Sequence, residues 1–235
     1  MKAALIAAGL GERLRQAGYT QPKPLVPVAG QPLIDYVLAA IADAGLQDVA
    51  CIVNELSEGI EAHCRSRWPQ LRFDFTRRTT PSSMESLFTL APRLGADEPF
   101  VLLTVDALMR PTLLSDFVRT ARSHDDFDGV LALTDFVDDE RPLWVQRDGS
   151  GRVTSIGTSA ASSGWITAGF YTFSPRIFRE IDVARASGFS ALRQFLAHLV
   201  GRGYQIFGEP VAKTMDVDRA EDIEAGAEFV RRGFV

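Results

Sequence analysis

The residues best suited to chemistry are small, cationic or acidic, and they stand where apolar runs end. Directly after the apolar run 2–7 comes Ala7-Ala8-Gly9-Leu10-Gly11-Glu12-Arg13-Leu14. Small side chains let a backbone approach a ligand closely, and successive N–H groups in such a turn can surround phosphate oxygens. Ala7, Ala8, Gly9, Gly11 and Glu12 are therefore candidate contacts to a phosphorylated ligand, and Arg13 adds a planar, permanently charged cation. Further on stands Lys23 in Gln21-Pro22-Lys23-Pro24-Leu25-Val26-Pro27-Val28, where prolines restrict the backbone and hence the direction of the ammonium. Arg13 and Lys23 are expected to converge on phosphate. The dinucleotide fingerprint G-x-G-x-x-G needs glycine where Leu14 stands, and no Walker sequence is present. A G-x-G turn by itself is equally compatible with a plain strand-to-helix connection carrying a surface arginine and lysine.

Chemistry at a polyphosphate calls for a divalent ion, and Mg²⁺ takes one or two carboxylates together with phosphate oxygens and waters. Asp106 follows the apolar run 100–104 and should emerge at the same sheet edge as the glycine loop. Its alternative role is a turn or helix-cap aspartate before Pro111. In Met215-Asp216-Val217-Asp218 two aspartates straddle one residue of an extended segment, and alternation points them the same way. There the competing reading is a helix start, with Asp218 capping and Glu221 completing a capping box. The polar stretch from Thr79 to Leu87, with Ser82 and Ser83 at its centre, offers hydroxyl and N–H groups to a nucleobase edge, although simple capping explains either serine.

These residues need a scaffold that brings strand ends together. Apolar runs at 2–7, 49–53, 71–75, 100–104 and 130–134 alternate with segments of helical period, the pattern of βαβ units around a parallel sheet. The second half changes: 143–146 and 153–156 flank Asp148-Gly149-Ser150-Gly151, which predicts a β-hairpin. Strands follow at 165–173 and 205–207, with helices at 191–200 and 220–231. The expected fold class is α/β, a Rossmann-like, mostly parallel mixed sheet flanked by helices, with a small antiparallel β lobe in the second half. Residues 1–235 read as one domain.

With 46% hydrophobic and 23% charged residues the chain has the composition of a folded protein, and its net charge of −5 argues against a nucleic-acid partner. No apolar run is long enough for membrane insertion, so a cytoplasmic location is the default. Cys51 and Cys64 lack metal-ligand spacing and read as reduced, buried thiols. His63, His124 and His198 are assigned no chemistry.

The run LIAAGLGERLR followed by QPKPLVPVAGQPLIDYVL closely resembles the signature of the nucleotidyltransferase (NTP transferase) family, which includes sugar-1-phosphate nucleotidylyltransferases and phosphocholine or inositol-phosphate cytidylyltransferases. The family commonly carries Thr or Ser where Glu12 stands, so Glu12 is expected to serve through its N–H. The resemblance implies a stand-alone, Mg²⁺-dependent transferase, monomer or homodimer, that joins an NTP, with CTP or UTP favoured, to a sugar 1-phosphate or a phosphorylated headgroup alcohol and releases pyrophosphate. It implies catalytic roles for Arg13 and Lys23, metal binding by Asp106 and by Asp216 or Asp218, with Asp218 preferred, and base recognition around Ser82 and Ser83. Gly169, in Trp165-Ile166-Thr167-Ala168-Gly169, resembles the family's acceptor-side glycine, and Lys213 is a candidate for the acceptor phosphate. Rival functions are a regulatory nucleotide binder that has lost its chemistry, a transferase acting on a molybdopterin-like cofactor, and a nucleotide-sugar-dependent glycosyltransferase. The last usually needs D-x-D after a central strand, and here Ala107 and Leu108 follow Asp106.

Overall fold

A computed structural model of the chain describes residues 1–136 and 142–234. In chain order it contains β1 (Lys2–Ala7), α1 (Glu12–Gln16), β2 (Pro27–Val28), β3 (Gln31–Pro32), α2 (Leu33–Asp43), β4 (Asp48–Val53), α3 (Ile60–Arg67), β5 (Arg72–Arg77) and α4 (Ser83–Leu94). There follow β6 (Phe100–Thr104), β7 (Ala107–Leu108), α5 (Pro111–Ala121), β8 (Gly129–Thr134), β9 (Val145–Arg147), β10 (Val153–Ile156) and β11 (Ile166–Phe173). The last elements are α6 (Ile181–Ala186), α7 (Leu192–Gly201), β12 (Ile206–Pro210), β13 (Met215–Asp216) and α8 (Ala220–Arg231).

A seven-stranded sheet runs in the order β12-β8-β11-β6-β1-β4-β5. Its ladders are parallel except where β11 lies antiparallel between β6 and β8. The sheet is therefore mostly parallel and mixed, as the sequence predicts. Side chains of α2, α3 and α5 pack on one face, with Ile34, Val37, Ile60, Leu114 and Phe117 against Leu5, Cys51 and Leu103. Those of α4 and α7 pack on the other, with Met84, Leu87, Phe88 and Phe195 against Ile6, Ile52, Leu102 and Leu131. Cover on both faces explains why β1, β4, β6 and β8 read as unbroken apolar runs rather than as alternating strands. The hairpin forms where expected, as β9 and β10, and Asp148 turns it by accepting from the Ser150 and Arg152 N–H groups.

A third cluster, with Val28, Leu33, Leu108, Met215, Val217 and Phe229, seats α8 beside the sheet. Within it β13 pairs antiparallel with β7, Met215 opposite Leu108 and Asp216 opposite Ala107. That two-residue ladder ties the end of the chain to the loop after β6.

Candidate active site

β1 and β6 are neighbours in parallel register, so the loops after them leave the sheet at the same edge, side by side. Between those loops and the first turn of α4 lies a cavity of about 480 Å³. Ala8, Gly9, Gly11, Glu12 and Arg13 line it from the glycine loop, Ser82 and Ser83 from α4, and Lys23, Asp106 and Asp218 from three further segments.

The two glycines of the loop do different work. At Gly9 an added Cβ would meet nothing within 4 Å, so the space in front of it is open cavity. Gly11 has φ +61°, and a Cβ there would stand 2.9 Å from the Lys23 Cβ. Gly11 therefore admits the Lys23 segment against the loop. Lys23 opens a short 3₁₀ turn, Lys23–Leu25, between Pro22 and Pro24, and that turn faces its side chain inward.

Lys23 is buried, 7% exposed, and its Nζ lies 2.8 Å from Asp106 Oδ2 and 2.5 Å from Asp218 Oδ1. Burial alone would lower its pKa, but the two adjoining carboxylates outweigh that and hold it above the ordinary value. The same contact acts in reverse on Asp106. Desolvation would raise its pKa, and the ammonium, with help from the Thr104 hydroxyl, brings it below the usual carboxylate value. Arg13 is half exposed, with Nη1 3.9 Å from Asp218 Oδ2.

Neither aspartate caps the helix that follows it, although Asp106 does lie in the turn after β6. Asp106 does not cap α5, whose N-cap is Arg110. Nor does Asp218 cap α8: Asp222 Oδ2 accepts from the Asp218 and Arg219 N–H groups, which leaves the Asp218 carboxylate turned to Lys23. Met215 and Val217 are buried while Asp216 and Asp218 are exposed, the alternation the sequence predicts. Asp218 lines the cavity and Asp216 does not; the Asp216 Oδ1 lies 3.7 Å from where a Gly169 Cβ would stand. Gly169 itself sits at φ +83°, where the β11–β8 register breaks, and a Cβ would come within 3.1 Å of Ala107. Ser82 does cap α4, accepting from the Glu85 N–H, and it faces the cavity as well.

Two of the expected contacts lie outside the cavity. Ala7 is wholly buried as the last residue of β1, paired with Val53, and does not line the cavity. The Lys213 ammonium lies 3.7 Å from the Phe136 ring centroid and 5.2 Å from that of Phe229, because two aromatic faces attract it, and it too is absent from the lining. The sequence reading missed Thr104, which lines the cavity, and Asn54, which stands beside the glycine loop. Both are polar residues at the end of an apolar strand, the signal that found Asp106.

Chemistry by cysteine or histidine is not set up here. Burial pushes the Cys64 thiol up to about 12 and Cys51 well above its usual value. His63, His124 and His198 pair separately with Asp35, Glu209 and Glu180. Among the described residues no three histidine, cysteine or acidic side chains meet as a metal cage. Nor is any described helix long and apolar enough to cross a membrane.

A glycine loop, a helix N-terminus, two cations and two carboxylates surround one cavity at the sheet edge, a set of groups whose chemistry suits a phosphorylated ligand. Residues 3–202 match the MobA-like NTP transferase domain, and the chain belongs to that family. It is 29% identical over 159 residues to the CMP-5'-(3-aminopropyl)phosphonate synthase of Streptomyces rubellomurinus, covering 60% of this chain and 25% of that protein. It is 28% identical to the glucose-1-phosphate thymidylyltransferase of Streptomyces antibioticus, covering 88% of this chain and 59% of that one. The chain thus spans less than two thirds of either relative. Among solved structures, the inositol-1-phosphate CTP transferase from T. maritima superposes with a TM-score of 0.81 at 20% identity, covering 100% of this chain and 97% of that one. The last comparison establishes the shared fold.

Proposed function

We propose that the protein is a Mg²⁺-dependent nucleotidyltransferase that transfers the nucleotidyl group of CTP or UTP to a sugar 1-phosphate or a phosphorylated headgroup alcohol and releases pyrophosphate, residues 1–235 acting as one transferase unit. The observation that carries this reading is the convergence of Gly9, Gly11, Arg13, Lys23, Asp106 and Asp218 on one cavity from segments remote in sequence. Cytidine nucleotides figure in the names of two of the proteins compared above, which supports a pyrimidine.

In the reaction an acceptor phosphate oxygen attacks the α-phosphorus of the NTP, the new P–O bond forms as the bond to the β-phosphate oxygen breaks, and pyrophosphate departs. The attacking oxygen is already anionic, so no strong general base is required, and the cavity is lined by neither histidine nor cysteine. The remaining task is positioning and charge neutralisation. Loop N–H groups and the positive end of α4 receive phosphate oxygens, and Arg13 and Lys23 offset charge that builds at the α-phosphorus and on the leaving group. Gly169 leaves room on the acceptor side.

The donor set suits a divalent ion. Asp106 and Asp218 direct one oxygen each to the Lys23 ammonium, so a cation already occupies the point where the pair converges. Two carboxylates, with phosphate oxygens completing the shell, match what Mg²⁺ takes at polyphosphate sites. When bound there, the ion would neutralise charge on the triphosphate.

A pyrophosphate-release assay tests the proposal, pairing each NTP and dTTP with sugar 1-phosphates, phosphocholine and related phosphate esters, with and without Mg²⁺. Release with one pair only when metal is present is the expected result. Silence across the panel together with no nucleotide binding by calorimetry refutes it.

A further inference from the structure

Asn54 is 3% exposed, lies just beyond β4 and does not line the cavity. Its Oδ1 accepts from the Leu56 N–H at 2.9 Å, which commits its Nδ2 to the other side, where it donates to the Gly9 carbonyl at 3.3 Å. A buried amide with both ends engaged has one orientation, and so does the carbonyl it holds.

That carbonyl belongs to the Gly9–Leu10 peptide, which is planar and trans, so its C=O and the Leu10 N–H point in opposite directions. The strand order β6-β1-β4 sets those directions against the rest of the site. Asn54 is on the β4 flank of the glycine loop, and Asp106 and Lys23 are on the β6 flank. A carbonyl drawn toward Asn54 therefore turns the Leu10 N–H toward the cavity, which Leu10 lines. Glycine at position 9 makes the constraint necessary, because this residue can take either peptide orientation at little cost.

From this geometry we infer that Asn54 is a positioning residue for the triphosphate: it fixes the Gly9–Leu10 peptide so that the Leu10 N–H is preset to donate to a phosphate oxygen. The inference rests on the nucleotide-site reading and adds a residue to it. A preset N–H gives up no orientational freedom on binding, whereas a free peptide must be ordered by the ligand.

The test uses Asn54→Asp, which keeps the acceptor for Leu56 but cannot donate to Gly9, and Asn54→Ala, which adds no buried charge. Affinity is measured by titration calorimetry with Mg²⁺ present, using inorganic tripolyphosphate and, separately, CTP. The Leu10 amide is followed by ¹H–¹⁵N spectroscopy during the tripolyphosphate titration. Both variants should bind tripolyphosphate about tenfold or more weakly than the wild type, the loss expected from one charge-assisted hydrogen bond. The large shift of the Leu10 amide seen in the wild type should be lost, with the remaining amide spectrum retained. Wild-type affinity in both variants, or weakened affinity with an unchanged Leu10 response, overturns the role of Asn54. A wild-type protein that binds neither ligand overturns the nucleotide site itself.

Discussion

Lys23 is the residue on which the site turns. It neutralises two carboxylates that stand 112 residues apart in sequence, Asp106 and Asp218, and its near-complete burial means that no water layer substitutes for it. Lys23→Met should lower kcat by about 10² or more, the scale for losing one preorganised electrostatic contact. The same substitution leaves Asp106 and Asp218 facing each other without their shared cation. Mn²⁺ should then bind the free protein more tightly than it binds the wild type, as read by electron paramagnetic resonance without nucleotide. Unchanged turnover would remove Lys23 from the catalytic set, and unchanged Mn²⁺ affinity would remove the carboxylate pair from the metal site. Gly9 gives the complementary experiment. Because a methyl group at Gly9 meets only open cavity, Gly9→Ala should leave the melting temperature unchanged or slightly raised, through the less flexible unfolded chain. Its effect should appear as at least a tenfold loss of nucleotide affinity. A variant that binds like the wild type would show that phosphate does not pass in front of Gly9.

At the scale of elements, the glycine loop and the 3₁₀ turn at Lys23 act as one part. Gly11→Ala places a methyl group in the left-handed region and drives it into the Lys23 Cβ. The expected cost is roughly 1–3 kcal/mol from backbone strain, seen as a lower midpoint in urea, together with a fall in kcat as Lys23 shifts. A Gly11→Ala protein with full stability and activity would contradict the contact. Much of this was legible beforehand. The apolar runs are long and covered on both faces, so β1, β4, β6 and β8 appear in the sequence almost to the residue, and with them the edge that carries Gly9 and Asp106. The joint between Asp106 and Asp218 was not legible. It depends on the two-residue ladder of β7 and β13 and on the Val217 N–H donating to the Asp106 carbonyl, elements too short to leave a periodic signal. The direction of β11 was equally hidden, since a buried antiparallel strand and a buried parallel one share the same composition. The place of the Lys213 ammonium was hidden for a related reason: it lies over the rings of Phe136 and Phe229, and no local sequence pattern marks either contact.

For the molecule as a whole, the ion pairs predict how stability responds to acid. Asp48, Glu85, Asp148, Glu180 and Glu228 all have pKa values lowered by their partners. Most of these are solvated, and salt will screen them. Glu180 is the enclosed member, 7% exposed where α6 begins. It accepts from His198 Nε2 at 2.7 Å and from the Tyr204 hydroxyl at 3.0 Å, and so ties α6 to α7 and to the turn before β12. The hydrogen bond from His198, then that from Tyr204, hold its carboxyl below the ordinary 4.5, against the opposing pull of burial. A carboxyl lowered in the folded state contributes stability that is fully present above its unfolded value and is lost as pH falls through the folded one. Glu180→Gln keeps the shape and an acceptor oxygen but cannot ionise. At pH 7 the variant should be less stable by about 1–3 kcal/mol, the range for hydrogen bonds to a charged acceptor. For a chain of this size that is about 2–4 °C in melting temperature for each kcal/mol. The difference should narrow once pH drops below 4.5 and close at lower pH, where the wild-type carboxyl is protonated in both states. Because the cluster lies outside the cavity, kcat at pH 7 and at a temperature where both proteins are folded should be the same. A stability gap that stays constant down to pH 3 would mean that Glu180 acts through packing alone.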